Sequence, residues 1–600
     1  MLSIPQENIE LIDSPELGNF SRRLEARRLF RFIKAATTQE AVASRMIPLE
    51  TFNQREFFGY RLSPITVRDE SNHELIEDLY RWRVAANFDG DEKLSLEGTR
   101  SWLKTHLLEI EDRVLFLVHD EFGNRVGHLG LWFRSDSELE LDNVIKGPGK
   151  FTRGVMSEAT KALGRWVNEF LGIEHLHLRV RQDNLHAINF YQNVGFVRTV
   201  AEEINTKMVG ATSELEVGCE VPYVSMFAST SNWLPNREEL LTAGPSMGIF
   251  EQALVSESVR SGWNNHFSDF VTGFNRVFGE YIEADFVIPT DSCTSALHLA
   301  LWTMGVGPGD EVIVPEITWV ASAAAVRYVG ATPVFADVNE ETWCLDPNSV
   351  REKITTSTRG IVPVHLYGFV ADLEEISSIC EEYGLFMVQD AAPGIGTTIN
   401  SKSVTAWGDI SCFSFQGAKL LVSGEGGAFV TRKREIYERA LKISQSGRRP
   451  GTFWIEQLGK KITMGNPTAA LALAQVYGVE RQIDRKRRIA SWYREGLDSL
   501  QTVRFQKESS GTRSIHWMNS IYIGDSGADR EELRSFLLSN GIDTRPVFSP
   551  ISRYPIWGKD HSEGKIAALI GDNSINLPSG VHLSEAEVNR VCDAIRTFFR

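Results

Sequence analysis

Short apolar runs at Glu311–Val314, Thr332–Phe335, Gly360–Pro363 and Phe386–Gln389, separated by helical stretches, constrain this chain more than any other feature. A strand buried on both faces reads as an unbroken apolar run. A parallel return to the same sheet needs a crossover long enough to hold a helix. Residues 233–475 therefore predict a large α/β domain with a mostly parallel sheet. The basic helix predicted over Val479–Leu500 leads into a smaller α+β domain, residues 476–600.

The first part of the chain has another rhythm. Strands are predicted at Val114–Val118, Val126–Trp132 and Leu139–Val144, with a turn at Glu121–Asn124 between the first two. A long amphipathic helix follows at Gly154–Leu171, then a strand at His175–Val180, a short helix at His186–Gln192 and a strand at Gly195–Thr199. A mixed sheet with helices on its faces is expected for residues 56–205. Residues 206–232 are polar and without period, and read as a linker, or a last strand plus linker. In residues 1–55, Leu24, Leu29, Phe30 and Ile33 fall near helical spacing beside six basic residues, which predicts one amphipathic helix packed on the next domain; a membrane-surface helix is the alternative.

Sixty-three basic against 79 acidic residues give a net charge of −16, which argues against a general nucleic-acid partner because phosphate neutralisation needs a basic surface. No apolar stretch reaches the length of a membrane span. Met1–Ser14 lacks the charged start and apolar core of a signal peptide, so a cytoplasmic protein is expected. Six cysteines, Cys219, Cys293, Cys344, Cys380, Cys412 and Cys592, show no metal-ligand spacing, so no metal is expected.

The chemistry concentrates in Ser411–Gly427, SCFSFQGAKLLVSGEGG. Lys419 sits in a short loop after a strand and before glycine-rich turns, the presentation a Schiff-base lysine requires: fixed, and partly removed from water. Asp390 ends a buried strand, where pockets form in open α/β sheets, and a carboxylate there can keep a pyridine nitrogen protonated. Asp291–Leu297 opens a helix predicted over Ala296–Met304, whose first N–H groups and hydroxyls make a phosphate site.

Cradle, acid and lysine in this order are the layout of pyridoxal-phosphate enzymes with the aspartate aminotransferase fold. The segments TSALHLAL, GVGPGDEVIVPEITWVASAAAV, GATPVFADV, VHLYG, QDAA, FSFQGAKLLVSGEGG and INLPSGVHLSEAEV resemble the sugar-nucleotide aminotransferase family. The resemblance implies that Lys419 carries pyridoxal 5'-phosphate, that Asp390 pairs with its ring nitrogen, that Thr294, Ser295 and Ser414 hold its phosphate and that Trp319 stacks on its ring. It also implies a homodimer with each site built from two chains. Three positions depart from the family pattern. Pro393 stands where a Gln or His usually meets the cofactor's phenolic oxygen. Gly459–Thr463 replaces a GYNYR stretch, so that Lys461 takes the place of an Asn reaching the neighbouring subunit's phosphate. Phe369 stands where a Gln is common.

Val180–Asn184, Ala187–Tyr191 and Val194–Phe196 together resemble the GNAT N-acetyltransferase family. The resemblance implies that Tyr191 protonates the leaving thiolate of coenzyme A and that Asn184 contacts the coenzyme or positions its helix. Arg153 and the N–H groups of Gly154 and Met156 are the expected pyrophosphate contacts. Glu140 and Asp142 alternate on one strand, so they share a face and are the candidate general bases, with His128 a weaker one; two acids that merely face solvent are the bland alternative.

The expected function is bifunctional: amino transfer from L-glutamate to a nucleoside-diphosphate keto sugar, then N-acetylation by acetyl-CoA. Two alternatives stay open at this point, a non-catalytic acetyltransferase-like binding module and a pyridoxal-phosphate-binding regulator or structural subunit.

Overall fold

The computed structural model describes residues 60–86, 95–135, 138–148, 154–171, 173–198, 223–230, 239–449, 451–558 and 563–600, with Phe30, Ile33, Lys34, Ile47 and Pro48. The chain divides into two compact units, residues 1–235 with 247–253 and residues 236–246 with 254–600.

The first unit is an eight-stranded sheet: β1 (Ile47–Pro48), β2 (Arg61–Pro64), β3 (Arg113–His119), β4 (Arg125–Phe133), β5 (Leu139–Lys146), β6 (His175–Arg181), β7 (Val197–Arg198) and β8 (Tyr223–Ser229), in the order β1-β2-β3-β4-β5-β6-β8-β7. Alternation puts Phe116, Leu129, Leu131, Leu141 and Leu178 on one face, where they bury against Ala159, Leu163, Trp166 and Val167 of helix α3 (Val155–Leu171). On the opposite face, helices α1 (His73–Ala85) and α2 (Leu96–Leu103) cover Leu115 and Leu117 with Leu75, Leu79, Trp82 and Leu103. Phe30 and Ile33 are fully buried in the α3-side core, and Lys34 donates to the carbonyls of Leu107 (3.0 Å) and Ile110, so the described part of the N-terminal extension packs on this unit. The rest of the helix expected in 1–55 lies outside the described residues.

Within 206–232, expected as a linker or a last strand plus linker, the described residues form β8, antiparallel to β6 from His175↔Ser229 to Arg181↔Tyr223. Only Met226 and Ala228 of β8 are fully buried, so its alternation is too weak to read as a strand. The parallel pair β5–β6 has a single registered pair, Glu140↔His177, and beyond it the edge of β5 has no strand partner among the described residues.

The second unit is built on a seven-stranded sheet: β9 (Phe286–Thr290), β10 (Glu311–Pro315), β11 (Thr332–Ala336), β12 (Thr358–Ile361), β13 (Phe386–Asp390), β16 (Ile410–Ser414) and β17 (Gly427–Thr431), in the order β11-β10-β12-β13-β16-β17-β9. Neighbouring strands run parallel except at β17, which is antiparallel to both its neighbours. Between β13 and β16, β14 (Thr398–Ile399) and β15 (Lys402–Ser403) join β19 (Thr512–Arg513) in a small sheet. A four-stranded antiparallel layer, β18 (Arg504–Phe505), β20 (Asn519–Tyr522), β21 (Arg545–Pro546) and β22 (Ser574–Leu577), packs on Tyr493 of helix Val479–Leu497 and on Val591 and Ile595 of helix Glu585–Phe598. Leu240 joins that small core through a parallel bridge to Ile542, although its place in the sequence precedes the large sheet. The large sheet presents Trp319, Asp390 and Lys419 at or just after the carboxyl ends of β10, β13 and β16, which is where open α/β sheets place their sites.

Candidate active sites

Asp390 closes β13 with its carboxylate buried. Oδ2 accepts from the Ser322 hydroxyl at 2.6 Å and Oδ1 from the Ala392 N–H at 3.1 Å. Burial raises its pKa, against the opposing pull of Ser322, the Ala392 N–H and the Lys419 ammonium. No Lys or Arg lies within ion-pair distance among the described residues, which leaves the carboxylate without a cation of its own. A protonated pyridine ring supplies one, so the acid fits pyridoxal phosphate.

Lys419 is held by a loop closed on itself. Its N–H donates to the Gln416 carbonyl (2.8 Å), Gly417 N–H to Gly424 O (3.0 Å) and Ser423 N–H to Phe415 O (2.7 Å). Gly424 and Gly426 take φ of +82° and +146°, a backbone that residues with a Cβ rarely adopt, and so the glycine-rich turn is required for the closure. The ammonium lies 3.8 Å from the centroid of the Trp517 ring, and Trp517 is itself tied to the loop by its indole N–H on the Ala418 carbonyl (2.8 Å). Burial lowers the Lys419 pKa, with Asp390 and Cys293 opposing, which favours the free amine that nucleophilic attack needs.

The turn expected to hold the phosphate is equally local. Ser292 caps helix Cys293–Thr303, accepting from the Ser295 N–H at 3.2 Å, and Thr294 and Ser295 are half-buried in its first turn. Gly427 abuts this turn so closely that a Cβ would come within 2.4 Å of Cys293 N, and Ser414 is the residue registered opposite Gly427. Register thus sets Ser414 opposite the glycine that abuts the start of the Thr294–Ser295 turn, across a long stretch of sequence. The Asp291 N–H donates to Ile462 O (2.9 Å), so the strip bearing Lys461 runs beside the same turn; Lys461 itself is exposed. Trp319 is 61% exposed, with its ring 5.8 Å from Phe548. Pro393 is buried in the turn after Asp390 and has no N–H to donate.

In the first unit Tyr191 lies on helix Leu185–Val194, half-buried, with ring contacts to Phe190 (5.2 Å) and Phe196 (5.7 Å). Burial pushes its hydroxyl pKa up, and the charges of Asp142 and Glu140 push the same way. The phenol therefore keeps its proton at neutral pH, under the influence of both acids of β5. Asn184 caps this helix, its side-chain oxygen accepting from the Ala187 N–H at 3.0 Å, which is the helix-positioning one of its two expected roles. Gly154, at φ +90°, immediately precedes α3, and its carbonyl accepts the helix's first bond from Glu158 (3.0 Å). Met156 buries its side chain in the core and leaves its N–H in the first turn, where helices have donors to spare. Arg153 lies outside the described residues.

The two candidate bases are differently employed. Asp142 Oδ2 is gripped by Arg113 through Nε (2.6 Å) and Nη2 (2.5 Å), and Glu140 Oε2 accepts from Arg134 and Arg179, each at 2.9 Å. A carboxylate oxygen that already accepts from guanidinium groups has fewer lone pairs for a substrate proton, so neither acid is presented as a free base. His128 is 1% exposed and stacks 5.8 Å from Trp82, with neither ring nitrogen in a well-formed hydrogen bond. It is walled off from the site.

Burial lowers the His128 pKa to about 3, with the Asn143 carbonyl opposing and Arg83 adding to the shift. The unfolded chain takes up a proton near pH 6.5 that the folded unit refuses, so this contribution to stability is full above that pH and is lost as the pH falls towards 3, by about 1.4 kcal/mol per unit. Between pH 7 and 5 the first unit's melting temperature is expected to fall more steeply in the wild type than in His128→Leu, followed by circular dichroism. Parallel slopes would refute it.

A buried acid and a loop-held lysine at the end of a parallel sheet define an aldehyde-cofactor enzyme, and the first unit's mixed sheet with its opened parallel pair defines an acyl-transfer fold. Residues 245–596 match the DegT/DnrJ/EryC1/StrS aminotransferase family and residues 60–197 match the acetyltransferase (GNAT) domain. The chain belongs to the DegT/DnrJ/EryC1/StrS family: it is a pyridoxal-phosphate-dependent sugar aminotransferase fused to a GNAT acetyltransferase domain. GDP-perosamine synthase of Escherichia coli O157:H7 is 37% identical over 356 residues, 59% of this chain and 97% of that protein. The Vibrio cholerae GDP-perosamine synthase is 34% identical, covering 59% of this chain and 98% of its own. The crystal structure of S. venezuelae DesV superimposes with a TM-score of 0.55 at 31% identity, over 58% of this chain and 94% of that one. Among the described residues no helix is long and apolar enough to cross a membrane.

Two functional residues escaped the sequence reading. Ser322, which holds Asp390, lies in an unremarked alanine-rich helix, and Trp517, which covers Lys419, comes from the small domain. Neither carries a local signal.

Proposed function

We propose that this cytoplasmic chain moves an amino group from L-glutamate to a GDP-linked 4-keto-6-deoxy hexose and then acetylates the new amine with acetyl-CoA. The observation that carries the reading is the convergence of Lys419, Asp390 and the Thr294–Ser295 turn at the strand ends of the second unit, in one chain with a first unit that carries Tyr191 and an opened β5–β6 pair. The GDP-perosamine synthases among its relatives support the choice of nucleotide and sugar.

In the second unit Thr294, Ser295 and Ser414 would hold the cofactor phosphate, Asp390 the protonated ring nitrogen, and Trp319 one face of the ring. Pyridoxal phosphate, when bound, supplies the electron sink. Lys419, its pKa lowered by burial, carries a proton to and from the reacting carbon, and Trp517 keeps water from its ammonium. In the first unit the open N–H and carbonyl edge of β5 suits the amide-bearing arm of acetyl-CoA, bound as an added strand would be. The sugar amine attacks the thioester carbonyl, the C–S bond breaks, the thiolate takes the Tyr191 proton, and the proton shed by the new amide nitrogen returns the Tyr191 phenolate to the phenol. The ion-paired state of Glu140 and Asp142 favours the alternative of a non-catalytic binding module for this unit.

Mass spectrometry of the products from a GDP-linked 4-keto-6-deoxy hexose, glutamate and acetyl-CoA separates the two. An N-acetylated amino sugar supports the bifunctional reading; a free amino sugar that persists in excess acetyl-CoA supports the binding module. No amine at all would refute the substrate.

A homodimer through the second unit is part of the same proposal. Phe453 (94% exposed), Trp454 (67%), Ile455 (54%) and Leu458 (82%) form an apolar loop just before Lys461, and such a surface is rarely left to water. Trp454→Asp with Leu458→Asp is expected to halve the mass seen by light scattering and to lower amino transfer. An unchanged mass would count against this loop as the interface.

A further inference from the structure

On the sheet of the first unit, register places Arg113, Trp132, Glu140 and His177 side by side on β3, β4, β5 and β6. Residues paired across strands project to the same face, here the one opposite Leu131 and Leu141. Arg134 lies with its guanidinium carbon 3.4 Å from the centroid of the Trp132 ring, and both Arg134 and Arg179 reach Glu140 Oε2 at 2.9 Å. The carboxylate side chain is 8% exposed, whereas its partners are 28% and 30% exposed.

This arrangement exceeds what holding a carboxylate needs. Arg113 and Asp142 neutralise each other, so Arg134 and Arg179 on one Glu140 leave a positive charge in surplus, in a chain whose net charge is −16. Each guanidinium has five N–H donors, and beyond Glu140 those of Arg134 and Arg179 have no protein hydrogen-bond partner among the described residues. Paired, planar, partly exposed guanidinium groups with spare donors suit phosphate oxygens, and Arg is the residue whose fork matches them. Tyr191 packs against the core on the other face of the sheet, and the charges of Glu140 and Asp142 act on its hydroxyl.

We propose that Arg134 and Arg179, with Trp132 behind Arg134 and Glu140 fixing both guanidinium groups, form the diphosphate subsite that seats the nucleotide-linked acceptor for acetylation. This rests on the acetyltransferase reading of the first unit. The diphosphate bound there anchors the acceptor beside the opened β5–β6 pair, and an amino sugar without the nucleotide loses that anchor.

The test compares acetyl transfer to a GDP-linked amino sugar and to the methyl glycoside of the same sugar, in the full chain, with Arg134→Gln and Arg179→Gln. Each variant is expected to raise KM for the GDP-linked acceptor about 10- to 100-fold, to leave KM for acetyl-CoA and turnover of the glycoside unchanged, and to be partly rescued by lysine at the same position. Equal effects on both acceptors would overturn the subsite while leaving the acetyltransferase reading intact. GDP binding by calorimetry decides the subsite even if neither acceptor is acetylated. Removing both cations strands a buried carboxylate, so the variant is Glu140→Gln/Arg134→Gln/Arg179→Gln, with unchanged amino transfer as the check on folding. Two GDP per chain in the wild type and one in this variant are expected, and equal stoichiometry would overturn the subsite.

Discussion

Replacing Lys419 with alanine is expected to lower amino transfer by at least about a thousandfold, since the step loses both its nucleophile and its proton carrier. Acetylation of a supplied amino-sugar nucleotide is expected to stay at the wild-type rate. Among the described residues of the second unit, no other buried lysine is free to take over. Lys486 is the other lysine buried near the loop, and burial lowers its pKa to about 7, but its ammonium donates to the carbonyls of Trp517 (2.8 Å) and Ser579. It braces the residue that covers Lys419 and is held away from the cofactor's place. The measurement is 2-oxoglutarate released from glutamate, with mass analysis of the sugar. Residual transfer within tenfold of wild type would mean that Lys419 is not the reacting amine. Loss of both activities would point to misfolding.

Replacing Tyr191 with phenylalanine is expected to lower acetyl transfer by about 10²- to 10⁴-fold, the range that a positioned acid contributes, and to leave amino transfer intact, so that the free amine accumulates. The ring contacts with Phe190 and Phe196 survive the substitution, and only the hydroxyl is lost. Because burial and the two nearby acids raise the Tyr191 pKa, the wild-type rate is not expected to fall through loss of this proton below about pH 10. An unchanged acetylation rate in the variant would remove Tyr191 from the reaction and strengthen the binding-module alternative.

Much of the second site was legible because its parts are contiguous in sequence or sit at fixed places in strand–loop units. Lys419 follows β16 in a glycine-closed loop, Asp390 ends β13, and Thr294 and Ser295 open a helix, each a local arrangement with a local signature. The first unit was legible in its helix and strand pattern, while the partners of its acids were not. Alternation correctly put Glu140 and Asp142 on one face, yet it says nothing of what stands across from them. Arg113, Arg134 and Arg179 come from three other places on the sheet, and only the cross-strand register shows that they take both carboxylates.

The sequence by itself determined two units of different rhythm, a parallel α/β sheet in the second and the places of Lys419, Asp390 and the Thr294–Ser295 turn at its strand ends, because backbone periodicity and turn chemistry are properties of neighbouring residues. Tertiary structure alone decided that Trp517 lies over Lys419, that Ser322 holds Asp390, that Tyr223–Ser229 completes the first sheet and that Leu240 belongs to the small core. Those contacts join residues far apart in the chain, and their partners are chosen by register and burial, which no local pattern carries.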